Sequence, residues 1–412
     1  APAPAPAPTP LAYVEPGLLA GGGETLSVIV TAADSELAAR AVKRAGGQVT
    51  SDLWLVDAVA ASIPADRLEG LAAYAGVRSI VDNKGVESAQ EPTDGGSLTD
   101  WDGWVTDYRF PVPWDGSPDV QPGSSWNQYD LVYPVPVDIG TDTLYGLFGL
   151  EITVAVVDSG VYFDDQVKSE LGQAVRKRFF GQADFVDTEC GTYLTKSERT
   201  LTVGAQEADH CFASAENSED PYGHGTHVAG IIWNSLSEKD LGVRLGVAPE
   251  ARILSVRVLG ADGNGSYETV IRGIQYVVEN KDRFGVRVLN LSLSAEPTTP
   301  YFVDPLNRAA EQAWAAGIVV VAAAGNEGSQ AQTITVPGND PYVITVGALD
   351  GLRTPGYWGD DVLPEWSATG PTLDGFVKPE ILAPGANGVS VMSIVRDIVV
   401  LSGSLGRGLA GW

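Results

Sequence analysis

The sequence predicts an α/β protein: a parallel sheet with helices on both faces, preceded by a small α+β unit. Three observations lead there. Short, mostly continuous apolar runs recur between residues 152 and 346, separated by stretches of helical period, the pattern of buried parallel strands with crossover helices. Ahead of them, residues 24–86 pass through β, α, β, β, α and β patterns in that order. The first apolar run ends on Asp158, and in open α/β sheets chemistry gathers at the carboxyl ends of strands.

Residues Ala1–Pro10 are an Ala-Pro repeat, an extended and solvated segment, and residues 1–23 are read as a spacer. Leu26–Val30 alternates like a strand. Ser35 can cap a helix with Leu37, Ala38, Ala41, Val42 and Ala45 on its apolar face, ended by Gly46-Gly47. Val49–Val56 and Val59–Ile63 read as strands with Asp57 at their turn. Pro64 starts a second helix carrying Leu68, Leu71 and Ala72, and Val77–Val81 is a last strand. That order is a split βαβ, or ferredoxin-like, unit over 24–86. Residues 87–142 turn to Asp, Gly, Pro, Trp and Tyr without period, and Trp101, Trp104, Trp114 and Trp126 are expected to wrap over a surface. The large domain, 143–412, follows. Its strands are Ile152–Val157, Arg252–Val258, Val286–Leu291, Ile318–Ala323 and Val343–Val346. Its helices are His227–Leu236, Tyr267–Val278 with Ile271, Ile274 and Val278 on one side, and Pro305–Ala315.

Composition bounds the function. The chain has 412 residues, 44% of them hydrophobic, with no apolar run long enough to span a bilayer, so it reads as soluble and globular. With 26 basic against 53 acidic residues the net charge is −27, which argues against nucleic acid and anionic membranes as partners. Cys190 and Cys211 lie in one polar segment without metal-ligand spacing. A surface disulfide and an oxidising compartment fit them, two free thiols being the alternative. No leader pattern opens the chain, so a signal peptide is expected to have been removed already.

The stretch Gly223-His224-Gly225-Thr226-His227-Val228-Ala229-Gly230 holds two of the chain's three histidines at a helix start. The helix dipole there favours a neutral imidazole, the form a general base needs. Three readings fit: metal ligation by His224 and His227 with His210, a hydrolytic base, or a helix start merely packed on a sheet. Two further strand ends bear on the choice. Asp158-Ser159-Gly160 ends a buried strand on a carboxylate that must be paired, and Ala324-Gly325-Asn326 ends another on an amide. Carboxylate, base and oxyanion donor make a set. A metal site leaves Asn326 without a role and has no further ligand at suitable spacing.

On Asp158-Ser159-Gly160, His224-Gly225-Thr226-His227-Val228-Ala229-Gly230 and Ala324-Gly325-Asn326 the sequence resembles the subtilisin-like serine proteases, over roughly residues 150–400. The resemblance implies a subtilisin-like fold and a secreted, monomeric endopeptidase precursor. Asp158 would orient His224, His224 would act as base, and Asn326 would steady the oxyanion; His227 becomes structural. It implies that Gly263, Asn264 and Gly265 on one side, and Ser292, Leu293 and Ser294 on the other, sandwich an extended peptide. Ser294 stands where the family usually has Gly, altering a wall of the first specificity pocket. The unit over 24–86 resembles the family's inhibitory propeptide, cut near Val86–Gln90, and Phe185–Asp220 resembles an insertion. No cofactor is implied for catalysis; structural calcium is implied, with unknown ligands and no EF-hand-like loop.

The nucleophile motif departs from the family. Val377-Lys378-Pro379-Glu380-Ile381-Leu382-Ala383-Pro384-Gly385-Ala386 fits the approach to it. The motif should then read Ser-Gly-Thr-Ser-Met-Ala and enter a helix, but the chain reads Leu401-Ser402-Gly403-Ser404-Leu405-Gly406-Arg407. Leu405 takes the nucleophile position and Ser404 is its neighbour. Two functions are therefore expected candidates: a secreted serine endopeptidase precursor, impaired as written, or a catalytically dead relative that binds extended peptides.

Overall fold

The computed structural model describes residues 12–20, 25–89, 149–162, 178–186, 211–213, 218–233, 237–238, 243–244, 246–350, 359–385, 391–394 and 397–400. The tryptophans of the 87–142 segment, His210, Cys190, Ser404 and Leu405 lie outside them.

The first unit contains β1 (Tyr13–Val14), α1 (Pro16–Ala20), β2 (Thr25–Thr31), α2 (Ser35–Arg44), β3 (Gln48–Leu53), β4 (Ala58–Pro64), α3 (Leu68–Ala72) and β5 (Ser79–Asp82). Its sheet order is β1-β5-β2-β4-β3, so without β1 the strands stand in the split βαβ order that the periodicity suggests. Ordered chain begins ahead of residue 24: β1 pairs in parallel with β5, and Leu18 is buried. Asp34, not Ser35, caps α2, its carboxylate accepting from Leu37 N at 2.7 Å. Trp54–Val56 leaves the strand as a 3-10 turn closed by Asp57 in the left-handed region, φ 55°. Alternation divides this sheet's two faces. Val28, Val30, Val59 and Ile80 pack under α2 and α3, while Ile29, Leu53, Ala58, Ala60 and Val81 turn to the large domain.

After β6 (Gly85–Ser88) come β7 (Thr153–Asp158), β8 (Phe179–Asp184), β9 (Cys211–Ala213), α4 (His224–Trp233), β10 (Ser237–Glu238) and β11 (Val243–Arg244). Then follow β12 (Arg252–Arg257), β13 (Asn264–Ser266), α5 (Tyr267–Phe284), β14 (Val286–Leu291), β15 (Leu293–Ser294), α6 (Pro305–Ala315), β16 (Val319–Ala323), β17 (Ile344–Leu349), β18 (Ile381–Pro384), β19 (Val391–Ile394) and β20 (Asp397–Val400). The main sheet has eight strands in the order β18-β17-β16-β14-β7-β12-β8-β9, parallel except for β9. β7 is central and buried along its whole length, its Val154–Val157 run set between Thr153 and Asp158. Its residues alternate too: Val154 and Val156 face Ala229 and Trp233 of α4, and Ala155 and Val157 face the α5–α6 side.

The helix starts follow from capping chemistry. Ser266 and Thr269 form a reciprocal capping box on α5, which ends at Gly285 with φ 66°. Asp304 accepts from Leu306 N and Asn307 N at 2.9 and 3.1 Å, and Pro305 opens α6. The two units are tied across this layer. Leu55 N donates to Gln275 Oε1 at 3.1 Å, Gln275 Nε2 to Asp52 O at 3.2 Å, and Glu268 N to Asn83 Oδ1 at 3.0 Å.

Candidate active site

Asp158 and His224 arrive from opposite sides of one narrow gap. β7 delivers the carboxylate at its carboxyl end, and α4 begins on the histidine. Two glycines permit the approach. A Cβ on Gly225 would lie 2.1 Å from Gly160 O, and one on Gly160, whose φ is +118°, would lie 2.2 Å from Glu219 O. His224 Nδ1 consequently stands 2.8 and 3.0 Å from the two carboxylate oxygens of Asp158. Asp158 is fully buried and also accepts from Ser159 N at 2.7 Å.

Charges and hydrogen bonds around His224 act against its burial. Burial disfavours the imidazolium, but the charge and hydrogen bond of Asp158, the charge of Asp220 and a hydrogen bond to the Ala89 backbone outweigh it, so the pKa is raised. Asp158 and Asp220 thus favour the imidazolium more than water does for a free histidine. That suits a base which must hold the proton it removes.

Asn326 lies just beyond β16, at the same carboxyl edge as Asp158, with β14 between the two strands. Its turn is tightly placed. Gly325 has φ +106° and a Cβ there would meet the Thr335 side chain at 2.5 Å; Thr335 N donates to Ala324 O at 2.9 Å, and Ala368 N to Gly325 O at 3.0 Å. His227 is a half-buried helix residue whose N donates to Gly223 O at 3.1 Å. Among the described residues no group of three or more His, Cys, Asp or Glu could hold a metal.

All six cleft residues expected from the sequence meet one segment, the chain's own β6 with the Ala89 that follows it. It lies between β13 and β15 and is antiparallel to both, pairing Asn264 with Glu87, Gly265 with Val86, Leu293 with Ser88 and Ser294 with Glu87. Ser88 N donates to Gly263 O at 3.1 Å and Ala89 N to Ser292 O at 3.0 Å. Strand addition of this kind holds backbone through the ladder and reads alternate side chains. Val86 is buried in the main core, and Ser294 is buried as well.

Three residues here escaped the sequence reading. Tyr222 accepts from Ser88 Oγ at 3.3 Å, its ring centroid 6.5 Å from that of His224, and Gly263 leaves it room, since a Cβ there would be 2.5 Å from Tyr222 Cζ. Ser159 and Asp220 fasten the turns that carry Asp158 and His224. The available signal was an Asp at the end of a polar segment, four residues before the histidine.

Residues 149–407 match the model of the subtilase family. Serine protease AprX of Bacillus subtilis (strain 168) is 37% identical over 253 residues, 60% of this chain and 49% of that protein. Subtilisin E of the same strain is 33% identical over 244 residues, 59% of this chain and 49% of that protein. The chain thus spans about half the length of these curated relatives. Fervidolysin from Fervidobacterium pennivorans, a keratinolytic enzyme related to subtilisin, superposes with a TM-score of 0.60 at 21% identity, covering 95% of this chain and 51% of that one, a likeness of fold. No helix among the described residues is long and apolar enough to cross a membrane.

Proposed function

We propose that this chain, which belongs to the subtilase family, is the precursor of a secreted, monomeric serine endopeptidase whose N-terminal unit occupies its own substrate cleft. One observation carries the reading: His224 is paired with Asp158 at 2.8 Å while it also bonds the backbone of Ala89, the residue that follows the strand clasped in the cleft. A substrate chain lying as β6 does would present the bond after the Ala89 position to the imidazole. The bond put forward for processing is therefore Ala89–Gln90.

In the chemistry proposed, a serine Oγ attacks the carbonyl carbon and its proton passes to His224, whose positive charge Asp158 balances. The oxyanion takes a hydrogen bond from Asn326. The C–N bond breaks as His224 returns the proton to the amine; water, deprotonated by His224, then attacks the acyl carbon, and the ester C–O bond breaks as His224 passes that proton to the serine Oγ, freeing the acid. No cofactor enters these steps. Structural calcium is part of the proposal only as a stabiliser of loops. Extended peptides or proteins are the substrate class, and the net charge of −27 speaks against nucleic acid.

The nucleophile position reads Leu405, which favours a second reading: a catalytically dead relative that binds extended peptides without cleaving them. A peptidase assay with serine-directed phosphonate labelling tests both, on the 412-residue chain and its Ser404→Ala and His224→Ala variants. Little turnover and no labelling support the impaired or catalytically dead reading. Robust turnover abolished by both substitutions would assign Ser404 as nucleophile and overturn the impairment. Turnover indifferent to His224 would overturn the proposed chemistry itself.

A further inference from the structure

Asp220 is 2% exposed, and its carboxylate is held by hydrogen bonds from two separate elements. Oδ1 accepts from Ser159 Oγ at 2.8 Å and from Gly223 N at 2.8 Å. Oδ2 accepts from Thr226 N at 2.8 Å and Thr226 Oγ1 at 2.6 Å. Ser159 belongs to the turn that leaves β7 and follows Asp158 directly; Gly223 and Thr226 flank His224 at the start of α4. Two more bonds close the loop. Ser159 Oγ accepts from Gly225 N at 3.0 Å, and Thr226 Oγ1 accepts from Tyr162 N at 2.9 Å.

A buried carboxylate is costly, and neutral hydrogen bonds are what support the ionised form here: burial pushes its pKa up, and the four bonds oppose that. A helix start needs only a serine or threonine to satisfy its first amides. A carboxylate adds two things a hydroxyl lacks. Its second oxygen reaches β7's turn while the first turn of α4 stays capped, and its charge lies in the environment of His224.

We propose that Asp220 is a positioning residue for the Asp158–His224 pair, clasping the turn after β7 to the first turn of α4 through Ser159 and Thr226. It touches neither the imidazole nor any reacting atom. It sets the register between the strand that ends on Asp158 and the helix that starts on His224, and it does so before any substrate is present. This rests on the proposed base role of His224 only for its catalytic meaning; the geometric claim stands without turnover.

The test is imidazole NMR of the full 412-residue chain labelled with nitrogen-15, its three histidines assigned with His210→Gln and His227→Gln variants. The readouts are the far-downfield Nδ1 proton of His224 and the midpoint of its titration. Asp158→Asn is the reference: it should abolish the proton and lower the midpoint, and an unchanged spectrum would sink the Asp158–His224 pairing itself. Asp220→Asn, which keeps the volume, should weaken or broaden the proton and lower the midpoint by on the order of one pH unit. Ser159→Ala should act in the same direction and less, and Thr226→Ser, which keeps the hydroxyl, should leave both readouts alone. If Asp220→Asn fails to fold, Ser159→Ala decides. Lower denaturation midpoints with an unaltered His224 proton and titration in both Asp220→Asn and Ser159→Ala would overturn the proposal and leave Asp220 as a helix cap.

Discussion

Lys84 Nζ stands 3.7 Å from Asp304 Oδ2 across the junction of the two units, the lysine side chain 9% exposed and the aspartate fully buried. Glu15 Oε1, from the first unit, lies 3.4 Å from the same ammonium, which also sits 5.3 Å from the centroid of the Tyr267 ring. Tyr267 OH in turn donates to Asp304 Oδ2 at 2.9 Å. One cation from the first unit therefore serves two carboxylates, and one of these caps α6 of the large domain.

Removing that cation should loosen the docking of the first unit. Lys84→Met leaves Asp304 and Glu15 facing each other without compensation, and breaking a buried pair costs about 3–5 kcal/mol. Urea denaturation of the full chain should show the midpoint falling accordingly, with Lys84→Met/Asp304→Asn recovering part of the loss. An unchanged midpoint in the single variant would show that the pair does not hold the junction.

Some of this architecture was legible in the sequence and some was not, for identifiable reasons. β14 and α6 match their expected bounds, because Val286–Leu291 carries four apolar residues in six, broken only by Arg287 and Asn290, and Asp304-Pro305 is a strong helix start. β8 was missed because Gly181, at φ 117°, sits where its pairing with β12 slips register, which breaks the apolar pattern. β6 has a single apolar side chain in four residues; partners 175 or more positions away make it a strand, as the pairing of Ser266 with Gly85 illustrates. In the candidate site, Asp158, His224 and Asn326 announced themselves at strand and helix ends. Asp220 and Tyr222 act through neighbours that only the fold brings close.

Stability should fall as pH rises from about 4 to about 7, in part through Asp340. Burial, with the charges of Glu311 and Asp304 adding, pushes its pKa up to about 7 against the Tyr342 amide and Lys378. The folded state then holds a proton that the unfolded chain releases near the ordinary value of 3.8. The group's contribution is fully present below that value and is lost as pH climbs to about 7. Asp340→Asn, which can still accept from Tyr342 N, should flatten this part of the profile. Parallel stability–pH curves for the two proteins would reject the assignment.

Gly225→Ala should break the Asp158–His224 pair. The added methyl would sit 2.1 Å from Gly160 O, a backbone atom that cannot swing aside, so α4 must withdraw from β7. The expected outcome is a stability loss of more than about 2 kcal/mol together with loss of the downfield His224 proton. A variant that keeps both would show that the approach of strand and helix is looser than 2.1 Å implies.

The last prediction concerns the occupied cleft. Val86 is 2% exposed at the centre of the strand that β13 and β15 clasp, and its side chain joins the main core. Val86→Asp places a carboxylate there without a partner, which costs several kcal/mol and can be relieved by β6 leaving the cleft. The bonds of Leu55 and Asp52 to Gln275 of α5 do not involve β6, so the first unit should stay docked while its last strand lets go. A cleft filled by its own chain binds an added peptide only in the fraction of molecules where β6 is out, so the apparent Kd is the intrinsic Kd divided by that fraction. Releasing β6 should therefore tighten binding of an extended fluorescent peptide, by about 10-fold for each 1.4 kcal/mol by which the strand is destabilised. Fluorescence anisotropy on wild type and Val86→Asp measures this without any need for turnover. Equal affinities, with intact secondary structure in both, would mean that β6 does not compete for the groove and that the peptide surface lies elsewhere.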